Sequence, residues 1–283
     1  MFEKFRSYFN RLINYFFNIR ESVSYIIHNN KYWNNWNYKN DKGVILADLY
    51  SIRENLIIRS YFLNILARNH ESKIYAFTKE SLNPKIILRL IYRSFNVSKI
   101  VQTKLFNKRK INLEAEKIFA SFKNKREVLD FEYNGLNIGI DIYESYLRFY
   151  SKPTVVLDDL DLLKCIKEGI GLVHFWTDFV EKNNVKSVVI SHDCYLNNNV
   201  IAKIAYKRKI PVYMIGSSEV HYIPKEFAIH EVFKDYRNLF KKIPLVEQKK
   251  AIEMAKDKLD KRLVGDKEVD VRQYNVNCAQ PYH

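Results

Sequence analysis

Strand-like and helix-like patterns of apolar positions alternate through the centre of the chain. Val185–Ser191 is a β-branched apolar run typical of a buried strand, and Val212–Ile215 is a second one. Between them, apolar residues recur at helical spacing through Val200–Lys209, with Asn197–Asn199 as the predicted N-cap and Pro211 after the helix. This order of strand, helix and returning strand predicts a right-handed βαβ unit.

The region before this unit repeats the same pattern. Lys42–Leu49, Lys73–Thr78 and Ile100–Thr103 are apolar runs that predict strands. Glu54–Asn69 and Pro84–Phe95 lie between them and carry apolar residues at helical spacing. A βαβαβ order favours an α/β fold with a doubly wound, Rossmann-like parallel sheet.

The segments on either side of the central unit predict further helices and one loop. Leu160–Gly169 and Leu172–Asn183 have the apolar periodicity of two helices. Ser217–Phe227 predicts a loop, because polar and turn-forming residues interrupt its apolar positions. Glu226–Phe240 predicts a helix, and Val246–Leu263 predicts a long, charged one.

Residues 1–40 differ from the rest of the chain, because aromatic and aliphatic residues at helical spacing alternate there with Lys and Arg. Such a basic amphipathic helix either lies in a membrane interface or packs on the protein's own core. The charges interrupt the segment too often for a signal peptide or a membrane-spanning helix. We therefore expect this segment, a Rossmann-like domain over residues 41–265, and a tail or the start of a further domain over residues 266–283.

The composition of the chain limits which kind of protein it is and which kinds of partner it binds. With 47% hydrophobic residues the chain is globular and not disordered. Its three cysteines form no CxxC pair, which favours a reduced, cytoplasmic compartment over a disulfide framework. The net charge of +15 indicates an anionic partner: nucleic acid, acidic lipid headgroups, or a phosphorylated or acidic substrate. Charge alone does not choose among them.

Candidate chemistry gathers where the predicted strands end, since ligands of open α/β sheets bind beyond the carboxyl ends of the strands. The first strand-to-helix turn contains no glycine, which weighs against a dinucleotide dehydrogenase, and the chain has no Walker A loop. Ser191 is the last residue of the central predicted strand, and His192 and Asp193 follow it. His192 is the candidate general base, with its tautomer set by the neighbouring carboxylate, or else a histidine hydrogen-bonded for structure.

Two groups of carboxylates have alternative interpretations. Asp141, Glu144 and Arg148 share one face of a predicted helix, as an exposed ion-pair stripe or as a polar cluster facing a cleft. Asp159 and Asp161 form a DxD pair, which holds a divalent metal in many nucleotide-sugar enzymes. The alternative, which is favoured, is that Asp158 or Asp159 is the N-cap of the helix Leu160–Gly169. No zinc spacing occurs, and we predict neither a metal nor a cofactor.

Four separated blocks of the chain resemble bacterial capsule and surface-polysaccharide biosynthesis proteins. These blocks are KGVILADLYSIRENLIIRSYFLNILARNH, GLNIGIDIYESYLR, PTVVLDD and VVISHDCYLNNNVIAKIAYKRKIPVY. The resemblance runs from about Lys42 to Gly265 and points to glycosyltransferases built from two Rossmann-like halves, the GT-B type. It implies that this chain corresponds to the N-terminal, acceptor-receiving half, and that most of the nucleotide-sugar site belongs to a second half.

The resemblance implies a site as well as a fold. His192 or Glu144 would take a proton from an acceptor hydroxyl that attacks the anomeric carbon of a nucleotide sugar, and Arg148 would contact an anionic group. A GT-B enzyme generally needs no DxD metal, so the nucleotide sugar would be a substrate and not a cofactor. The predicted substrate-binding residues are Asp48, Glu54, Asp141, Arg148, Asp193, Tyr195 and Ser217.

The expected partners follow from the same resemblance. They are a glycan or lipid-linked glycan acceptor, a nucleotide sugar, an anionic membrane surface, and a partner chain or second copy. We expect a cytoplasmic protein, free or peripheral on the inner face of the cell membrane. The alternatives are a non-catalytic module that binds a glycan or a membrane and, ranked below it, an RNA-binding protein, because the basic residues are spread along the chain without a known motif.

Overall fold

A computed structural model describes residues 19–33, 42–50, 53–79, 86–103, 108–216, 220–224 and 236–264. The chain divides into two compact units, Met1–Phe227 and Ala228–His283. The second unit contains helix 236–241 (α9) and helix Leu245–Leu263 (α10). The first contains all of the sheet described below. The domain boundary expected near residue 265 stays a prediction.

The first unit is built on a six-stranded sheet with a two-stranded hairpin beside it. The strands are β1 (Val44–Asp48), β2 (Lys73–Lys79), β3 (Val97–Thr103), β4 (Glu132–Tyr133), β5 (Leu136–Asn137), β6 (Val185–Ile190), β7 (Val212–Ile215) and β8 (Val220–Ile223). The large sheet has the order β3-β2-β1-β6-β7-β8. Its first five strands are parallel, and β8 pairs antiparallel with β7. The hairpin joins β4 to β5.

Helices connect these strands. They are α1 (19–33), α2 (Arg53–Asn69), α3 (Ile86–Ser94), α4 (Lys108–Ser121), α5 (Lys125–Leu129), α6 (Gly139–Tyr150), α7 (Leu160–Lys182) and α8 (Tyr195–Lys207). The parallel strands with helical crossovers confirm the predicted α/β, Rossmann-like fold. None of the described helices is long and apolar enough to span a membrane.

The core occupies both faces of the sheet. Successive residues of β1 alternate between them: Leu46 packs with Trp176 of α7 in one apolar cluster, whereas Ile45 packs with Leu63 and Tyr92 in another. This alternation follows from the two-residue period of a strand. Because both faces are covered by helices, β1 is an uninterrupted buried run, as the sequence predicted.

The region predicted as two helices, 160–169 and 172–183, is the single helix α7, so that prediction was wrong. In the sequence, Gly169 and Gly171 suggest that one helix ends and another begins, but both glycines are buried inside a single helix. A Cβ at Gly169 would lie 3.1 Å from the Leu196 side chain and 3.3 Å from that of Ile138. The glycine therefore allows close packing against neighbouring elements and does not end the helix.

Two other predicted boundaries also change. Helix α8 begins at Tyr195 with Cys194 as its N-cap, so Asn197–Asn199 lie within the helix and do not precede it. An Oγ from Ser145 of α6 accepts the Leu196 backbone N–H at 3.0 Å, and this tertiary contact replaces a local cap. The segment predicted as a loop after β7 contains strand β8, because its backbone pairs with the otherwise open edge of β7.

Only part of the predicted N-terminal amphipathic segment lies within the described residues. Over 19–33 it is helical, and Trp33 at its end is 3% exposed. The Tyr25 hydroxyl donates to the Leu56 carbonyl at 2.8 Å, and the Asn29 amide donates to Ser94 at 3.0 Å. These contacts place α1 against α2 and α3, which is the core-packed alternative for this stretch.

Candidate functional site

A cleft of about 300 Å³ opens at the carboxyl ends of the parallel strands. It lies where β1 and β6 are neighbours and the chain winds outward in opposite directions, so it occupies the topological switch point of the sheet. Its volume is at the lower end of the range for small-molecule sites. Its lining residues are Asp48, Leu49, Tyr50, Phe77, Thr78, Lys79, Thr103, Phe149, Ser191, His192, Tyr195, Asn197 and Asn198.

The end of β1 is held by a buried ion pair. Nη2 of Arg59, from the buried face of α2, donates to Oδ1 of Asp48 at 2.7 Å, and Nη1 donates to the Asp48 carbonyl at 2.9 Å. The two side chains are only 0% and 7% exposed. Burial by itself lowers the pKa of Arg59, but the Asp48 carboxylate and the nearby Tyr92 and Tyr50 together outweigh it and the net pKa is raised. The guanidinium therefore stays charged beside the carboxylate.

The second oxygen of Asp48 connects this pair to the solvent-facing side of the cleft. Oδ2 accepts the Ser191 hydroxyl in a short hydrogen bond and the Ser191 backbone N–H at 3.1 Å. The Asn198 amide donates to the same carboxylate and to the Ser191 Oγ, both at 3.3 Å. The Ser191 Oγ lies 2.8 Å from Nδ1 of His192. A continuous chain of hydrogen bonds therefore runs from Arg59 to His192.

This chain selects one tautomer of His192. A serine hydroxyl has a single proton, and that of Ser191 is donated to Asp48, so Oγ can only accept from the imidazole Nδ1–H. Nε2 is then the unprotonated nitrogen. Although the side chain reaches solvent, partial burial lowers the pKa of His192 below its ordinary 6.5, against a smaller opposing effect of Asp48. A neutral imidazole with an available Nε2 can act as a general base.

Tyrosines fix the wall of the cleft beside the imidazole. The ring of Tyr50 stands edge-on to His192 with centroids 5.6 Å apart, and the Arg59 guanidinium lies 5.5 Å from its centroid. The hydroxyl of the buried Tyr92 accepts the Tyr50 backbone N–H at 2.7 Å and donates to the Tyr50 carbonyl at 2.9 Å. Burial raises the pKa of Tyr92 to about 12, so this hydroxyl keeps its proton.

Polar ends of β2 and β3 complete the cleft. Thr78 and Lys79 lie at the end of β2, and Thr103 ends β3. The Lys79 ammonium is paired with the Glu168 carboxylate of α7 at 2.6 Å. Among the described residues, Lys79 in the lining and Arg59 behind Asp48 are thus each neutralised by a carboxylate of the chain itself. The other described polar groups of the lining are the His192 imidazole and several hydroxyl and amide groups.

The structure brings together three of the nine predicted site residues. Asp48, His192 and Tyr195 line the cleft. The carboxylate that is linked to the imidazole is that of Asp48, through Ser191, and not the neighbouring Asp193. For Glu54 only its place in α2 is described, and Ser217 lies outside the described residues.

The remaining four predicted residues lie on or near α6 and are not among the residues that line the cleft. Asp141 is fully buried and accepts the Lys203 ammonium and the Asn199 amide, both at 2.7 Å. Arg148 is exposed, and Asp193 is half-buried in the loop before α8. Burial raises the pKa of the half-buried Glu144, and the negative charge of Asp141 raises it further. A base role for Glu144 stays a prediction.

Asp159 has the favoured role of N-cap. Its carboxylate accepts the backbone N–H of Asp161 at 2.8 Å at the start of α7, and it pairs with Lys152 at 2.6 Å. The hydrogen bond from Lys152 is the main reason that the pKa of Asp159 is lowered to about 2. Among the described residues, no group of three His, Cys, Asp or Glu side chains is placed to hold a metal ion.

Several residues of the cleft carried no signal of their own in the sequence. Arg59 occupies an ordinary position of an amphipathic helix, and Asn198 was predicted only as part of an N-cap. Phe149 lines the cleft because of how α6 packs, and Lys79 lines it because β2 extends to that residue. Ser191 was expected at this edge without a role.

No protein-family model, curated protein or solved structure matches this chain.

Proposed function

We propose that this chain is a glycosyltransferase-like protein of bacterial capsule or surface-polysaccharide biosynthesis, and that the cleft receives the acceptor. The observation that carries the proposal is the hydrogen-bonded series Asp48–Ser191–His192 at the switch point of the sheet. It holds a neutral imidazole with Nε2 as its basic nitrogen. Transfer to a sugar hydroxyl needs such a base, whereas simple retention of a ligand does not.

In the proposed reaction, an acceptor hydroxyl is placed against Nε2 of His192. Its oxygen attacks the anomeric carbon of the nucleotide sugar while its proton passes to Nε2, and the bond from that carbon to the phosphate oxygen breaks. The nucleotide leaves with the bonding electron pair. Through Ser191, the Asp48 carboxylate stabilises the imidazolium that forms. Arg59 holds that carboxylate in place.

Nucleotide sugars, including cytidine-monophosphate-linked acidic sugars, test the proposal directly. The purified chain is titrated with each donor while its thermal unfolding is followed. Nucleotide release is then measured with the donor that binds and with methyl glycosides as acceptors. A donor at a hundred times its Kd should stabilise the folded chain by about 2.7 kcal/mol. His192→Ala should keep the thermal shift and reduce release by about 100-fold or more. Release should persist to pH values below 6.5, because the pKa of His192 is lowered.

His70→Ala is the matched control, because His70 follows α2 at the opposite edge of the sheet and does not line the cleft. It should leave both binding and release unchanged. Donor binding without release in the unmodified chain would contradict an enzyme and favour a non-catalytic glycan-binding module. Absence of any donor shift, together with tight and steeply salt-dependent binding of generic RNA, would favour the RNA-binding alternative.

A further inference from the structure

We propose that Phe149 and Tyr195 form a stacking platform for the ring of the acceptor sugar, next to the His192 base. This inference rests on the proposed function and deepens it, since it assigns the part of the cleft that orients the acceptor. Three observations carry it: the paired aromatic rings in the lining, the strained backbone of Tyr195, and the hydroxyl and amide groups of the lining.

The first observation is the position of the two rings. Phe149 is 59% exposed near the end of α6, yet it lines the cleft together with Tyr195 at the start of α8. Their centroids are 5.5 Å apart and their planes are inclined by 53°. A single exposed phenylalanine is ordinary on a protein surface. Two aromatic rings in contact beside a candidate base provide an apolar wall that a ligand can cover.

The second observation is backbone strain at Tyr195. Its φ of 63° lies in the left-handed region, which a tyrosine rarely adopts and which costs on the order of 1–2 kcal/mol. The next residue, Leu196, donates its backbone N–H to Ser145 of α6 at 3.0 Å. Helix α6 thus supplies both a contact that holds this turn and the Phe149 ring. Strain that tertiary contacts maintain at a cleft is typical of a functional position.

The third observation is the chemistry of the described groups that line the cleft. Among the described residues, Lys79 in the lining and Arg59 behind Asp48 are ion-paired with Glu168 and Asp48, so their charges are already compensated. The lining instead offers amide and hydroxyl groups, which match the hydroxyls of a sugar. A pyranose also has one face of C–H groups, which suits the electron-rich face of an aromatic ring. A sugar therefore satisfies both kinds of lining group at once.

Saturation-transfer NMR with the methyl glycosides of glucose, galactose and N-acetylglucosamine tests this inference on the full chain. Phe149→Ala should raise the Kd of the glycoside that binds by about tenfold, the effect of losing one aromatic contact. Phe149→Tyr should retain binding because it keeps the ring. Tyr195→Gly should also weaken binding by about tenfold, while its thermal stability is maintained or increased because glycine adopts positive φ without strain.

Tyr222→Ala is the matched control. Tyr222 is 60% exposed and contacts Tyr213 with centroids 5.6 Å apart, so its surroundings resemble those of Phe149, but it lies on β8 and does not line the cleft. Binding should be unchanged in this variant. Equal glycoside binding by the unmodified chain, Phe149→Ala and Tyr195→Gly would overturn the platform and leave the proposed function in place. Glycoside binding by none of them would overturn the platform, and the absence of a nucleotide-sugar response as well would overturn the proposed function.

Discussion

Two buried ion pairs in the first unit have nearly the same local chemistry and different surroundings. In Asp48–Arg59 the side chains are 7% and 0% exposed, and in Asp141–Lys203 they are 0% and 2% exposed. The N–O distance is 2.7 Å in both. Taking two charges out of water is costly, so each pair needs further hydrogen bonds around it. The two pairs differ in where these further hydrogen bonds lead.

The bonds around Asp48 lead outward, to Ser191 and His192 at the cleft. Those around Asp141 and Lys203 lead inward. The Asn199 amide donates to Asp141, and the Lys203 ammonium donates to the Asn137 carbonyl, so α6, α8 and the β4–β5 hairpin are joined. A buried charge pair is therefore not by itself a sign of a functional site. The Asp48 pair is a candidate because its hydrogen bonds continue to a titratable side chain that a ligand can reach.

The largest expected effect comes from breaking the Asp141–Lys203 pair, called the inward pair because its hydrogen bonds lead into the protein; Asp48–Arg59 is the outward pair. Lys203→Met leaves the Asp141 carboxylate buried without its ammonium partner, and the free energy of unfolding should fall by about 3–5 kcal/mol. The double variant Asp141→Leu/Lys203→Met removes both charges and should recover most of that loss. Chemical denaturation measures the unmodified chain, the single variants Asp141→Leu and Lys203→Met, and the double variant. A loss of stability in the double variant equal to the sum of the two single losses would show that the two charges are not coupled.

A smaller change in stability is expected at the Asp48–Arg59 pair, where activity is the more informative measurement. Ser191→Ala removes one hydroxyl from the outward pair while Arg59 still neutralises Asp48, so unfolding free energy should fall by only about 1 kcal/mol. Nucleotide release should fall by at least about tenfold, because His192 loses the contact that orients its ring. Asn199→Ala is the matched variant in the inward pair, where one donor to Asp141 is lost. It should cost similar or greater stability and leave turnover per folded molecule unchanged. Equal turnover losses in both variants would contradict the distinction.

The sequence was sufficient to predict what depends on local pattern. Apolar runs placed the strands β1 and β6, so that Asp48 and His192 were expected at one edge of the sheet. The partner of each charge depends on tertiary packing, which the spacing along a helix does not report. Asp141 and Glu144 do share a helix, but whether that side meets solvent, a cleft or another helix is decided by the position of α8. Arg59 was missed for the same reason.

The smallest effect concerns Glu144, which lies near the inward pair. Burial, and then the charge of Asp141, raise the pKa of Glu144 above 4.5, so the folded state binds a proton more tightly than the unfolded state. Ionised Glu144 therefore lowers stability at pH values above its raised pKa, and this penalty disappears below the unfolded pKa. Glu144→Gln should be more stable than the unmodified chain at neutral pH, and the difference should vanish as the pH falls below about 4.5.

Thermal unfolding at a series of pH values tests this expectation, with Glu132→Gln as the control because Glu132 is exposed on the β4–β5 hairpin. The control should follow the unmodified chain at every pH. A Glu144→Gln variant less stable than the unmodified chain at neutral pH would mean that the ionised carboxylate is stabilised by its neighbours, including the nearby Tyr195 backbone N–H, more than it is opposed by burial and Asp141. Glu144 would then be a further charged contact that holds the strained start of α8 beside the cleft.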